Sequence, residues 1–125
     1  MFAIKKLIDP NFRKIPWTRV SWKSLAKEDV FELFSQSSVV LDIHHPMQSG
    51  LTMRTIECIG AEKKILTTNL DIVNYDFYNP RNILVIDRVN PVVNQDFFES
   101  AYEKLPPDVY NRYSLKSWLN EIFSD

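Results

Sequence analysis

The sequence predicts a three-layer α/β domain with a small parallel sheet and helices at its C-terminal end. Three observations carry this prediction. Short apolar runs bounded by turn residues recur at Val39–Ile43, Lys64–Thr68 and Ile83–Ile86. Runs that are continuous rather than alternating suit parallel strands buried on both faces. Amphipathic stretches of helical period separate or follow them, the pattern expected of crossover connections in a parallel sheet.

Element by element, Met1–Lys14 shows no firm period and reads as an arm. Ile15–Trp22 alternates and carries the β-branched and aromatic residues Ile15, Trp17, Val20 and Trp22; it reads as a strand or extended segment that Pro16 pushes to an edge or starts late. Ser24 has the character of a helix N-cap, followed by Lys27 and Glu28 in the first turn and an apolar stripe of Leu25, Val30, Leu33 and Phe34 to about Gln36. Ser37 and Ser38 end that helix, and Val39–Ile43 reads as a central strand. A loop, His44–Gly50, is marked by Pro46 and Gly50. The next helix covers Leu51–Gly60, with Met53, Ile56 and Ile59 on one face. Strand Lys64–Thr68, a short helix or turn within Leu70–Asn79, and strand Ile83–Ile86 follow. Two helical patches, Asn94–Leu105 and Ser114–Phe123, are separated by Pro106 and Pro107. Trp118, Leu119, Ile122 and Phe123 place the last of these back on the core. The whole of 1–125 reads as one domain.

Charge and composition narrow the function classes. The 15 basic and 16 acidic residues nearly cancel, which excludes broad electrostatic capture of nucleic acid. A single cysteine, Cys58, makes no intrachain disulfide and reads as a small buried residue. No apolar run has the length of a membrane span, and Met1–Ile8 is short for a signal peptide, so the expectation is a cytoplasmic protein without stable membrane insertion. Lys5 and Lys6 leave room for a peripheral contact with the inner membrane face. The two glycines, Gly50 and Gly60, are too few for a dinucleotide-binding glycine fingerprint or a phosphate-binding P-loop.

Parallel sheets bind ligands at the carboxyl ends of their strands. The segments His44–Gly50, Thr67–Asn69 and Asp87–Arg88 leave three such ends and are expected to converge on one rim. A helix starting near Leu51 would present free amide N–H groups and the positive end of its dipole to an anion. Gly50 lets backbone approach such a ligand, Ser49 and Thr52 supply hydroxyls, and Arg54 supplies charge. A diphosphate fits this arrangement; Ser49 or Gly50 capping an ordinary helix fits it as well. Glu57 suits the hydroxyls of a ribose, or an ion pair with Arg54 three residues earlier. His44, His45, Gln48 and Asn69 are further candidate rim contacts, and a capping or packing role suits the histidines as well. Nothing beside the two histidines has zinc-ligand spacing, and no catalytic triad can be read. Tyr75, Phe77 and Tyr78 suit stacking on a base or covering the sheet edge.

The ordered run Val39-Val40-Leu41-Asp42-Ile43, His45-Pro46, Gln48 through Glu57, Lys64 through Asn69, Tyr75 through Asn79 and Asn82 through Arg88 resembles bacterial lipopolysaccharide and capsular polysaccharide biosynthesis proteins. These are similar to the C-terminal, donor-binding half of GT-B-type glycosyltransferases. The resemblance covers about Leu33 to Arg88, and the Tyr113–Phe123 tail loosely. It implies a Rossmann-like domain and a nucleotide-sugar as substrate, with no cofactor or metal. Ser49, Gly50, Leu51, Thr52 and Arg54 would hold the diphosphate, and Glu57 the ribose. Ser49 stands where many retaining members carry a second glutamate, so a sugar-recognition role is unsupported there. A GT-B cleft also needs a second Rossmann-like half, which implies a partner chain or a longer enzyme. The other reading of the same residues is a non-catalytic α/β module that self-associates as a homodimer or binds a partner protein.

Overall fold

The computed structural model describes residues 24–45 and 47–123. The predicted arm Met1–Lys14, the extended segment Ile15–Trp22 and Pro46 of the loop lie outside them. The chain divides into two units, Met1–Leu33 and Phe34–Asp125. Of the first, the described part is the entry into helix α1 (Lys27–Gln36), whose first turn is closed by the Val30 amide on the Ala26 carbonyl at 3.1 Å. The helix begins three residues after the expected cap at Ser24.

In the second unit β1 (Val39–Asp42), β2 (Lys64–Thr67) and β3 (Ile83–Val85) form one parallel sheet in the order β1-β2-β3. The fold is therefore the predicted α/β architecture, with a small parallel sheet and C-terminal helices. Strand identity follows from short apolar runs, but their position in the sheet does not. Val39–Asp42, expected at the centre, lies at an edge of the sheet among the described residues, and Leu41 there is 58% exposed. The central strand is β2, in which Lys64, Ile65 and Thr67 are all buried. A continuous apolar run signals burial without saying how many neighbours the strand has.

Helix α2 (Met53–Gly60) crosses from β1 to β2. It starts two residues later than Leu51, because Thr52 is its N-cap and accepts the Thr55 amide at 3.1 Å. Its inner face, Thr55, Cys58 and Ile59, is buried with Ile65, Ile72, Phe77 and Ile83. Val109 and Tyr113 close this core from the C-terminal side, Tyr113 edge-on to Phe77 at 4.8 Å between ring centres. At its C-terminus Lys63 N–H donates to the Cys58 carbonyl and Glu62 N–H to that of Ile59, the double bond of a Schellman ending. Glu62 takes the left-handed position with φ of 52°.

The segment Leu70–Asn74 is a 3₁₀ turn capped by Asn69, and Phe77 after it is a core residue rather than an edge cover. The patch expected at Asn94–Leu105 is helical only at α3 (Gln95–Glu99), capped by Asn94. Side chains alternate along β2, so Lys64 points away from Ile65. Its amine donates to the Phe97 carbonyl at 2.6 Å, to Ser100 Oγ at 2.7 Å and to the Ser100 carbonyl. Those bonds tie the end of α3 to the sheet.

Two C-terminal helices follow, α4 (Pro107–Arg112) and α5 (Leu115–Phe123). The expected break at the two prolines is the start of α4, with Pro107 at its first position, where the missing N–H costs nothing. The expectation that Trp118, Leu119, Ile122 and Phe123 pack on the core is overturned: no residue of α5 is buried. Leu105, Val109 and Tyr113 already occupy that side of the core. Among the described residues no helix is long and apolar enough to cross a membrane.

Candidate functional site

Parallel registration sets Asp42 beside Thr67 and Thr67 beside Val85, so the three strands end level. The residues that leave these ends meet. The His44 amide donates to Thr68 Oγ1 at 3.0 Å. From beyond β3, the Arg88 guanidinium donates to the His44 carbonyl and reaches Thr68 Oγ1 at 3.4 Å. Arg88 thus spans all three strand ends with an exposed guanidinium. The turn that follows is closed by Asp87, whose carboxylate accepts the Val89 amide at 2.8 Å and the Asn90 amide at 2.7 Å. The N–H groups of Asn90 and then Val89 hold that carboxyl below the usual aspartate range.

A second cluster lies where β1 hands over to α2. Asp42 is buried, and its Oδ2 accepts the Thr52 hydroxyl at 2.6 Å and the Thr55 hydroxyl at 3.1 Å. Thr52 therefore has its proton on Asp42 and a lone pair on the Thr55 amide. A carboxylate beside the start of a helix is favoured by the helix dipole. The chain's own Asp42 takes up the electrostatic benefit that an anionic ligand was expected to take at Thr52.

The other expected site residues are placed as follows. Gly50 has φ of 78°, and a side chain built there would meet nothing within 4 Å. Glycine is required by the backbone conformation, with open space in front of it. The Gly50 carbonyl accepts Asn69 Nδ2 at 3.0 Å, and Asn69, 2% exposed, accepts the Asp71 amide on its Oδ1. Asn69 thereby fastens the loop before α2 to the end of β2. Leu51 packs its side chain against the core. Ser49 and Gln48 are exposed, the Gln48 amide closing a turn on the His45 carbonyl at 2.9 Å. His45 is exposed and accepts the Met47 amide on Nδ1 at 3.2 Å. His44 Nε2 is buried and has no hydrogen-bond partner among the described residues.

Arg54 and Glu57 form an i, i+3 ion pair at 2.7 Å, and the Arg54 guanidinium lies 5.6 Å from the Phe34 ring centre. Since Thr55, Cys58 and Ile59 face inward, Glu57 belongs to the outer face of α2. The structure brings His44, Thr68 and Arg88 together, and separately Asp42, Thr52 and Thr55. It does not bring Glu57 to the rim.

Sequence reasoning missed Asp42 and Thr55, and it noted Arg88 only as a strand end. An acidic residue closing an apolar strand, followed by Thr-x-x-Thr at a helix start, was the available signal. Cys58 is fully buried as expected, and burial pushes its thiol up to about 12. Among the described residues no three His, Cys, Asp or Glu side chains gather to hold a metal ion.

Chemically, the rim offers a positioned guanidinium and an open glycine turn. Arginine's planar fork matches the oxygens of phosphate or carboxylate, so an oxyanion is the ligand class this rim suits. No model of a known protein family matches the chain, and comparisons with curated proteins and with solved structures also find no match.

Proposed function

We propose that the chain binds the diphosphate of a nucleotide-sugar at the carboxyl rim of its sheet, as the donor-binding half of a GT-B-type glycosyltransferase of surface polysaccharide assembly. The observation that carries the reading is Arg88, laid across the three strand ends by its bond to the His44 carbonyl. In this reading Arg88 replaces Arg54 as the principal counter-charge. The backbone at Gly50 approaches the diphosphate, and a charge left on the departing nucleotide is stabilised there by fixed donors. Glu57 would reach a ribose only on leaving Arg54. The resemblance of the Leu33–Arg88 run supplies the sugar-nucleotide chemistry; the rim supplies the anion site. Transfer takes a second Rossmann-like half, and the protein works in the cytoplasm at the inner face of the membrane.

Calorimetric titration of the purified chain with UDP, GDP, ADP and CMP tests this. Binding of at least one diphosphate, weakened about tenfold or more in Arg88→Ala, is expected. A folded chain that binds none of the four would end the reading.

A further inference from the structure

The C-terminal helix α5 carries its apolar residues at Leu115, Trp118, Leu119, Ile122 and Phe123, the i, i+3, i+4, i+7, i+8 spacing of a single stripe. All five face solvent: Leu115 is 70% exposed, Trp118 56%, Leu119 38%, Ile122 52% and Phe123 78%. Together they present on the order of 500 Å² of apolar surface, the size at which a patch marks an association site. We propose that α5 is a self-association helix, pairing antiparallel with α5 of a second copy about a two-fold axis at Leu119.

Area and shape select this occupant. A two-fold contact uses the same patch twice, so the stripe alone brings the buried area to ~1,000 Å², the lower bound of a specific interface. An antiparallel crossing at Leu119 also sets the large residue at one end of the stripe against the smaller one at the other. Phe123 falls opposite Leu115 of the second copy, and Trp118 lies near its own symmetry mate. The stripe holds no charge, and a chain net charge of −1 opposes association little. A lipid surface is the poorer fit. The polar face of α5 has one cation, Lys116, against one anion, Glu121, whereas surface-binding helices concentrate lysine and arginine there.

Sedimentation equilibrium of the full chain over a hundredfold range of concentration tests the pairing, with circular dichroism to confirm folding of each variant. A monomer–dimer equilibrium is expected, shifted at least about tenfold toward monomer by Trp118→Glu. Leu119→Cys should cross-link to a disulfide dimer under mild oxidation, while Ser117→Cys on the opposite face should not. The native Cys58, fully buried, stays silent in that assay. A monomer at every concentration overturns the proposal, whether α5 is then found on anionic vesicles, against another protein or against its own chain. Equal cross-linking at 117 and 119 overturns it too. The rim takes no part in these measurements, so their outcome is separate from nucleotide binding.

Discussion

Thr52 donates its hydroxyl proton to Asp42 Oδ2 at 2.6 Å and accepts the Thr55 amide at 3.1 Å, so one side chain joins the end of β1 to the start of α2. This link has an asymmetry that can be measured. Thr52→Ala removes a helix cap and should cost about 1 kcal/mol in urea unfolding. Asp42→Ala leaves two hydroxyls facing a void in a buried site and should cost more, about 2–3 kcal/mol. Equal costs would mean that the carboxylate adds nothing beyond the cap.

Arg88 and Arg54 make opposite predictions for ligand binding. Arg88 lies on the rim, whereas Arg54 is occupied by Glu57 and the Phe34 ring. Arg88→Ala should reduce diphosphate affinity about tenfold or more, with thermal stability nearly unchanged. Arg54→Ala should leave affinity within about twofold and cost at most about 0.5 kcal/mol, as exposed helical pairs do. Titrations of both variants with the same nucleotide decide which arginine matters.

Lys64 gives a pH dependence of defined sign. Burial, aided by Arg81 and opposed by Glu103, lowers its pKa in the folded chain below the ordinary value of 10.5. The unfolded chain therefore holds this proton more tightly. Between the folded value and 10.5 it binds more protons than the native state, so stability must rise with pH across that window. Relative to Lys64→Met, the wild-type protein should gain stability as denaturation is repeated at increasing pH toward 10. Parallel curves for the two proteins would count against a desolvated amine.

Glu62 occupies a left-handed position, with φ of 52°, at the end of α2. Its ion pair with Lys104, at 3.2 Å, is largely exposed and contributes little. Glycine adopts that backbone without the penalty of a Cβ. Glu62→Gly should raise stability by about 0.5–1 kcal/mol, read as a higher denaturation midpoint at unchanged slope.

Local pattern made the three strands and α2 legible, because Val39–Asp42, Lys64–Thr67 and Ile83–Val85 are short apolar runs with turn residues around them. It also placed the three strand ends on one rim. Contacts between distant residues were not legible. Nothing in the spacing says that Arg88 bonds the His44 carbonyl or that Asp42 receives Thr52 and Thr55. Arg54 and Glu57 show the limit from the other side, since three-residue spacing allowed both a ligand role and an ion pair, and side-chain geometry chose the pair. For α5 the stripe was visible, but periodicity tells which residues share a face without telling what meets that face.

Cys58 sits at the junction of α2 and the sheet, fully buried, and burial holds its thiol at about 12. A thiol in that state reacts only when the surrounding core parts, since the reactive species is the exposed thiolate. At reagent concentrations where labelling outpaces reclosing, the rate at which a bulky thiol reagent modifies the native protein therefore times the opening of the core. The chain carries its own clock for that event, at one position and without any engineered label.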